Sequence, residues 1–329
     1  MRPAMDLEHA ANSFGEIAST RDLVAELLAA KRSVNTRGAY EKDLYDFFMT
    51  MTGLSPHPAL VREFLRLNRF AAVAVVLKYK AKLIDKGLKE ATINRRLAAI
   101  KSLVNFARKV GECEWSLVDV EGEKVVPYRD TTGFGRVASE NVAAMQSVLS
   151  VPDRSTPQGK RDYAVLRLLW DNALRRGEIG AANIGDFDPL ARTLNIYGKG
   201  RGTQAQLIDL HSATADAISD WLSVRGAAMP QEPLFIALTK REYGLRLSGY
   251  AIYKLVFSTC SAAGIPKRIS PHRIRHAAIT TLLDASNGNT RMAQKLSRHT
   301  SSNVLNCYDD NRQSLQREAS GLLADLVLK

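Results

Sequence analysis

Two histidines, an arginine and a tyrosine fall within a short stretch near the C-terminus. They are carried by Ser270-Pro271-His272-Arg273-Ile274-Arg275-His276, Leu296-Ser297-Arg298-His299 and Tyr308. The guanidinium of Arg275 is a planar fork that fits two phosphate oxygens at once. The imidazoles of His272 and His299 can donate to a phosphate or move protons near neutral pH. The phenol of Tyr308 is an oxygen nucleophile once its proton, with an ordinary pKa of about 10, has been removed. A lone His-x-x-Arg arises readily by chance, so the signal lies in the ordered series. Upstream, Leu174-Arg175-Arg176-Gly177-Glu178-Ile179 follows a helix, and Tyr197-Gly198-Lys199-Gly200-Arg201-Gly202 forms the turn of a hairpin. The series becomes Arg175, Lys199, His272, Arg275, His299, Tyr308, a set suited to chemistry at a phosphate. The glycine-rich turn is not a nucleotide cradle: it lacks a Gly-Lys-Ser/Thr ending and joins two strands.

These residues need a scaffold, and 329 residues suffice for two domains with separate cores. Apolar content of 45% is that of a globular protein. The most apolar stretch, residues 70–77, is closed by Arg69 and Lys78, too early for a membrane span. The N-terminus lacks a signal-peptide series. Cys113, Cys260 and Cys307 are odd in number and without ligand spacing, which points to a reducing, cytoplasmic setting. A net charge of +12 suits a polyanionic partner. The charge is concentrated: residues 62–109 hold thirteen Lys/Arg against three Asp/Glu, whereas residues 1–61 hold six against eight. No carboxylate cluster has the spacing of a magnesium site, and Asp309-Asp310 reads as a helix-end cap or solvent-facing pair. No metal and no cofactor are expected.

Apolar spacing lays out the elements. Residues 1–18 read as a flexible arm. Residues 19–110 read as an all-helical domain. Its helices start near residues 20 and 35, then run over 58–67, 71–86 (with Gly87 as a C-cap residue) and 90–110. The last turns Ile93, Leu97, Ile100, Leu103, Val104 and Phe106 inward, which leaves Arg95, Arg96 and Lys101 as candidate DNA-phosphate contacts. Arg201, beside Lys199, is a fourth. Residues 111–136 break the helical period and read as a linker lying partly along DNA. Residues 137–329 form the second domain. Its first helix starts near Arg136 with Ser139 as N-cap. Helices follow over 161–175, 213–226, 248–264 and from Pro271, and a hairpin pairs 192–197 with 206–210. Leu315, Leu322, Leu323, Leu326 and Val327 form the apolar stripe of a terminal helix.

The ordered motifs resemble the tyrosine recombinase, or phage integrase, family, which includes the Xer recombinases. A catalytic arginine follows leucine and precedes a Gly/Ser-Glu-hydrophobic segment. Then come lysine in a Gly-Lys-Gly hairpin, His-x-x-Arg, Leu-x-x-His and tyrosine. Arg298 departs from the pattern, since many members carry glycine there. The resemblance implies a mainly α fold: a two-domain DNA clamp with an all-helical, SAM-like core-binding domain and a mostly helical catalytic domain holding a small antiparallel sheet. It implies site-specific DNA strand breakage and rejoining through a 3′-phosphotyrosyl linkage, independent of metal and ATP. Arg175 and Arg275 would hold the phosphate, Lys199 protonate the leaving oxygen, His272 take the proton of Tyr308 and His299 donate to the phosphate. Expected partners are double-stranded DNA with inverted half-sites, a homotetramer on two DNA sites, and host- or element-encoded DNA-bending accessory proteins; no membrane is involved. The location would be the cytoplasm, with the nucleoid. Relaxation in the manner of a type IB topoisomerase and non-catalytic DNA binding are the alternatives.

Overall fold

The computed structural model describes residues 21–125, 134, 138–198, 204–226, 228–299 and 315–327. The chain divides into two compact units, Met1–Val126 and Pro127–Lys329.

The first unit is helical: α1 (Leu23–Ala29), α2 (Val34–Thr52), α3 (Pro58–Arg66), α4 (Arg69–Asp85) and α5 (Glu90–Lys109). Local chemistry sets the ends. Asp22, Ser33 and Asn68 accept backbone N–H groups at helix starts, and Pro58 occupies a first turn, where its missing N–H costs nothing. Helix α4 stops at Asp85, and Gly87 takes the left-handed conformation (φ 65°) that ends it. The core is aromatic: Phe47 meets Phe48, Phe64 and Tyr79 edge-on at 5.0–5.2 Å between ring centres.

The start of the expected linker belongs to this core. Cys113, Leu117 and Val120 are buried, and Trp115 packs edge-on against Phe64 while its indole N–H donates to the Leu65 carbonyl (3.2 Å). Asn94 pairs with the backbone of Glu123 in both directions, at 2.7 and 2.8 Å. A few scattered apolar residues anchor a segment that has no period of its own.

The second unit comprises α6 (Ala138–Ser150), α7 (Pro157–Asp171), α8 (Arg176–Ala181), strands β1 (Phe187–Asp188), β2 (Thr193–Tyr197) and β3 (Ala205–Asp209), α9 (Ser212–Arg225), α10 (Gly249–Ala262), α11 (Pro271–Ala285), α12 (Thr290–Ser297) and α13 (Leu315–Val327). Because α6 begins at Ala138, Ser139 lies inside it and is not its N-cap. The sheet is antiparallel in the order β1-β2-β3, and the long hairpin ends its pairing at Tyr197 opposite Ala205. Its inner residues Leu194 and Ile196 join a core with Leu166, Leu169, Ile218 and Trp221, whose indole N–H donates to the Leu234 carbonyl (2.8 Å). No helix among the described residues is long and apolar enough to cross a membrane.

Candidate active site

Each site residue sits where a helix begins or ends. Helix α11 opens with Ser270, whose hydroxyl accepts from the Arg273 N–H (3.4 Å), and with Pro271 in its first turn. His272 and Arg275, three apart, therefore share a helix face. Helix α12 ends at Ser297, and Arg298 closes it in the left-handed region (φ 56°) with its N–H on the Gln294 carbonyl (2.8 Å). His299 follows directly, its own carbonyl held by the Gln294 amide (3.2 Å). Arg175 is the N-cap residue of α8, entered from α7 through a turn in which Ala173 is also left-handed (φ 46°). Such a conformation costs a non-glycine residue about 1–2 kcal/mol.

Two acceptors gather the arginines. Arg275, only 1% exposed, donates to the Ala173 carbonyl and to the Ser297 carbonyl, and its Nη2 lies 3.3 Å from His299 Nε2. Arg298 donates to the same Ala173 carbonyl (3.2 Å), to Asn172 O (2.9 Å) and to Leu296 O (2.7 Å). The second acceptor is the buried carboxylate of Glu178. Its Oε1 accepts from Arg175 Nη1 (2.7 Å), and its Oε2 from the Arg175 N–H (2.9 Å) and Arg298 Nη2 (3.1 Å). A carboxylate at the third position of α8 that reaches back to the N-cap N–H is half of a capping box, and it also favours the helix N-terminus.

Arg175, Arg176, Tyr253, Ser270, Pro271, His272 and Arg275 line one cleft. Burial, then Arg275 and Arg175, holds the His272 imidazole below its usual pKa. Burial, then Arg275, Arg175, Arg298 and His272, pushes His299 down to about 4. Both rings are neutral at pH 7, the form that can accept a proton. The site is thus a cationic cradle with neutral imidazoles at its wall, able to bind a phosphodiester and take up a proton.

The structure brings four of the six expected residues together: Arg175, His272, Arg275 and His299. Lys199 and Tyr308, like Arg201, lie outside the described residues. The expected DNA contacts in the first unit are engaged differently from one another. Arg95, on α5 and about half exposed at 46%, pairs with Asp43 (2.5 Å). Arg96 is mostly covered and pairs with Asp46, which also accepts from the Tyr79 hydroxyl (2.6 Å). Lys101 is half-buried. The sequence shows Glu178 within the arginine motif but gives it no role, although its place three residues after Arg175 was the available signal. Sequence reasoning also missed an aromatic ladder on α10. Tyr250, Tyr253 and Phe257 stack at 6.4 Å spacing, with the Arg268 guanidinium over Tyr253 and Phe257 and Lys254 over Tyr250.

The model of the phage integrase family matches residues 139–314, and that of the phage integrase N-terminal SAM-like domain matches residues 22–111. The tyrosine recombinase slr0733 of Synechocystis is 50% identical over 311 residues, covering 93% of this chain and 96% of the relative. The tyrosine recombinase XerC of Corynebacterium efficiens is 28% identical, covering 86% and 83%. Two solved structures share the fold. XerH recombinase bound to its palindromic difH substrate aligns with a TM-score of 0.61 at 17% identity, covering 89% of this chain and 81% of XerH. A lambda integrase dimer bound to a core site aligns with a TM-score of 0.57 at 14% identity, covering 93% and 77%. The chain belongs to the phage integrase family, and its activity is that of a tyrosine recombinase, the site-specific breakage and rejoining of DNA.

Proposed function

We propose that Tyr308 attacks the scissile phosphorus and displaces the 5′ oxygen, leaving a 3′-phosphotyrosyl bond. The tyrosine proton passes to His272, Lys199 protonates the departing oxygen, Arg175 and Arg275 hold the non-bridging oxygens, and His299 donates to the phosphate. Rejoining reverses the step with a 5′ hydroxyl of another strand, so no ATP is consumed. The observation that carries this reading is the cleft itself, where two arginines converge beside an imidazole kept neutral and so free to accept a proton. Tyr308→Phe tests it. The variant should bind a half-site like the wild type and form no denaturant-resistant protein–DNA adduct; an adduct would remove Tyr308 from the role. The relatives named above are recombinases, so relaxation of the topoisomerase kind is not favoured.

The expected substrate is double-stranded DNA with inverted half-sites, bound in the cytoplasm with the nucleoid, by four copies on two sites and with DNA-bending accessory proteins. Arg95, Lys101 and Arg201 would contact phosphates, joined by Lys254 and Arg268 on the aromatic ladder beside the cleft. Palindromic DNA on XerH supports the inverted half-sites. Assembly would use the terminal helix. Leu323, Leu326 and Val327 of α13 are 65%, 72% and 85% exposed, so these apolar side chains remain uncovered in the single chain. A groove lined by Leu207, Ile208, Leu282, Met292 and Leu296 supplies an apolar face of the kind such a helix needs, offered by a neighbouring copy.

A further inference from the structure

We propose that Arg298 is a positioning residue for phosphoryl transfer, one that fixes Glu178 and the Ala173 turn so that Arg175 and His299 are held in place for the phosphate. The inference rests on the reading of the site given above. Position 298 needs only a left-handed residue, and glycine adopts that conformation with least strain. The backbone cap on Gln294 would form with glycine as well. The side chain adds something the cap does not require. It is 6% exposed and spends its donors on Asn172 O, Ala173 O, Leu296 O and Glu178 Oε2.

Every one of these acceptors lies next to the reacting groups. Ala173 O is shared with Arg275, and Asn172 and Ala173 form the turn that delivers Arg175. Glu178 is shared with Arg175. With Arg298 occupying Oε2, Oε1 is directed at Arg175 Nη1, which leaves the remaining Arg175 donors for the cleft; that side chain is 33% exposed. Leu296 O ties the same guanidinium to the end of α12, three residues before His299. A single buried fork therefore joins the segment carrying His299 to the segment carrying Arg175.

The second effect is electrostatic. The charged and titratable groups facing His299 are the Arg275 guanidinium and the His272 imidazole from α11, Arg175 at the head of α8 and Arg298 from its own segment, with Glu178 behind the arginines. Arg298 contributes to keeping this imidazole neutral until a phosphate arrives.

Two variants test the proposal in the full-length protein. Arg298→Gly keeps the left-handed cap, and Arg298→Lys keeps the charge without the fork. Single-turnover cleavage of a nicked suicide substrate at saturating protein should fall at least about tenfold in Arg298→Gly, with half-site affinity unchanged. The titration of His299, followed by NMR on ring-labelled histidine in DNA-free protein, should move up toward the ordinary histidine range. Arg298→Lys should return the titration toward wild type and restore the rate only in part. Wild-type cleavage by Arg298→Gly overturns the proposal, and so does a slower variant whose His299 titration is unmoved, which would mark a purely structural residue. A wild-type protein that forms no adduct refutes the DNA-cleaving reading instead, and the His299 titration then decides the positioning role.

Discussion

Replacing Glu178 by glutamine tests how the site holds its first arginine. The carboxylate accepts three hydrogen bonds, two on Oε2 and one on Oε1. An amide keeps one accepting oxygen. If that oxygen serves the Arg175 N–H and Arg298, the new NH₂ group faces Arg175 Nη1, a donor against a donor where 2.7 Å separates the present pair. Losing one hydrogen bond to a charged group costs about 1.5–3 kcal/mol. Expressed in the transition state, that is roughly a ten- to hundredfold slower cleavage. Arg175→Ala itself should cost about 10²–10³-fold, the usual loss for one transition-state donor. Two cations also lose their buried carboxylate, so a stability loss on the order of 3–5 kcal/mol accompanies the change. Urea unfolding should be run first, to choose a temperature at which every variant is folded. The assay is single-turnover adduct formation for wild type, Glu178→Gln, Arg175→Ala and the double variant. Since Glu178 acts through Arg175, the double variant should cleave within about threefold of Arg175→Ala. A wild-type rate for Glu178→Gln, or the same loss in both backgrounds, would refute the reasoning.

Stability should fall in acid for a reason specific to this site. Both site imidazoles have depressed pKa values, so between about 4, the value of His299, and the ordinary 6.5 the unfolded chain binds more protons than the folded one. Their contribution is full above pH 6.5 and is lost as pH falls toward 4; denaturant unfolding at pH 7 and pH 5 should show the drop, and His299→Asn should shrink it. In the first unit, Arg95→Ala and Lys101→Ala should each flatten the salt dependence of DNA binding by about one unit of slope. Arg96→Ala should instead destabilise the fold by about 1–3 kcal/mol, because Asp46 and Tyr79 lose their shared cation; unchanged unfolding would show that the pair is idle. Truncation after Arg312 should leave the first half-site binding step intact and weaken cooperative filling of the second in a gel-shift titration. Equal cooperativity would place α13 on its own domain.

Much of this molecule can be read from the chain because its elements are locally determined. The apolar stripe of α5, proline and serine at the start of α11, and glycine after α4 each act within a few residues. Of the ordered motifs, Arg175, His272, Arg275 and His299 lie together among the described residues. What stayed hidden depends on distant partners. Thirteen cations in residues 62–109 suggest a DNA-facing surface, but only the fold shows that Asp43 and Asp46, about fifty residues away on α2, pair with Arg95 and Arg96. Trp115 and Val120 give no periodic signal, so residues 111–125 read as linker until the core claims them. Arg298 looked like a lapse from a glycine pattern, because its spacing says nothing of a carboxylate at Glu178.

The Ala173 carbonyl has an evolutionary consequence. An oxygen on the main chain serves two arginines, so no side-chain substitution at this position deletes the acceptor. Protection of this kind does not extend to chain length. One residue added or lost between Trp170 and Arg175 would turn the oxygen away from both guanidinium groups together. This stretch should therefore be frozen in count, with insertions or deletions purged among descendants.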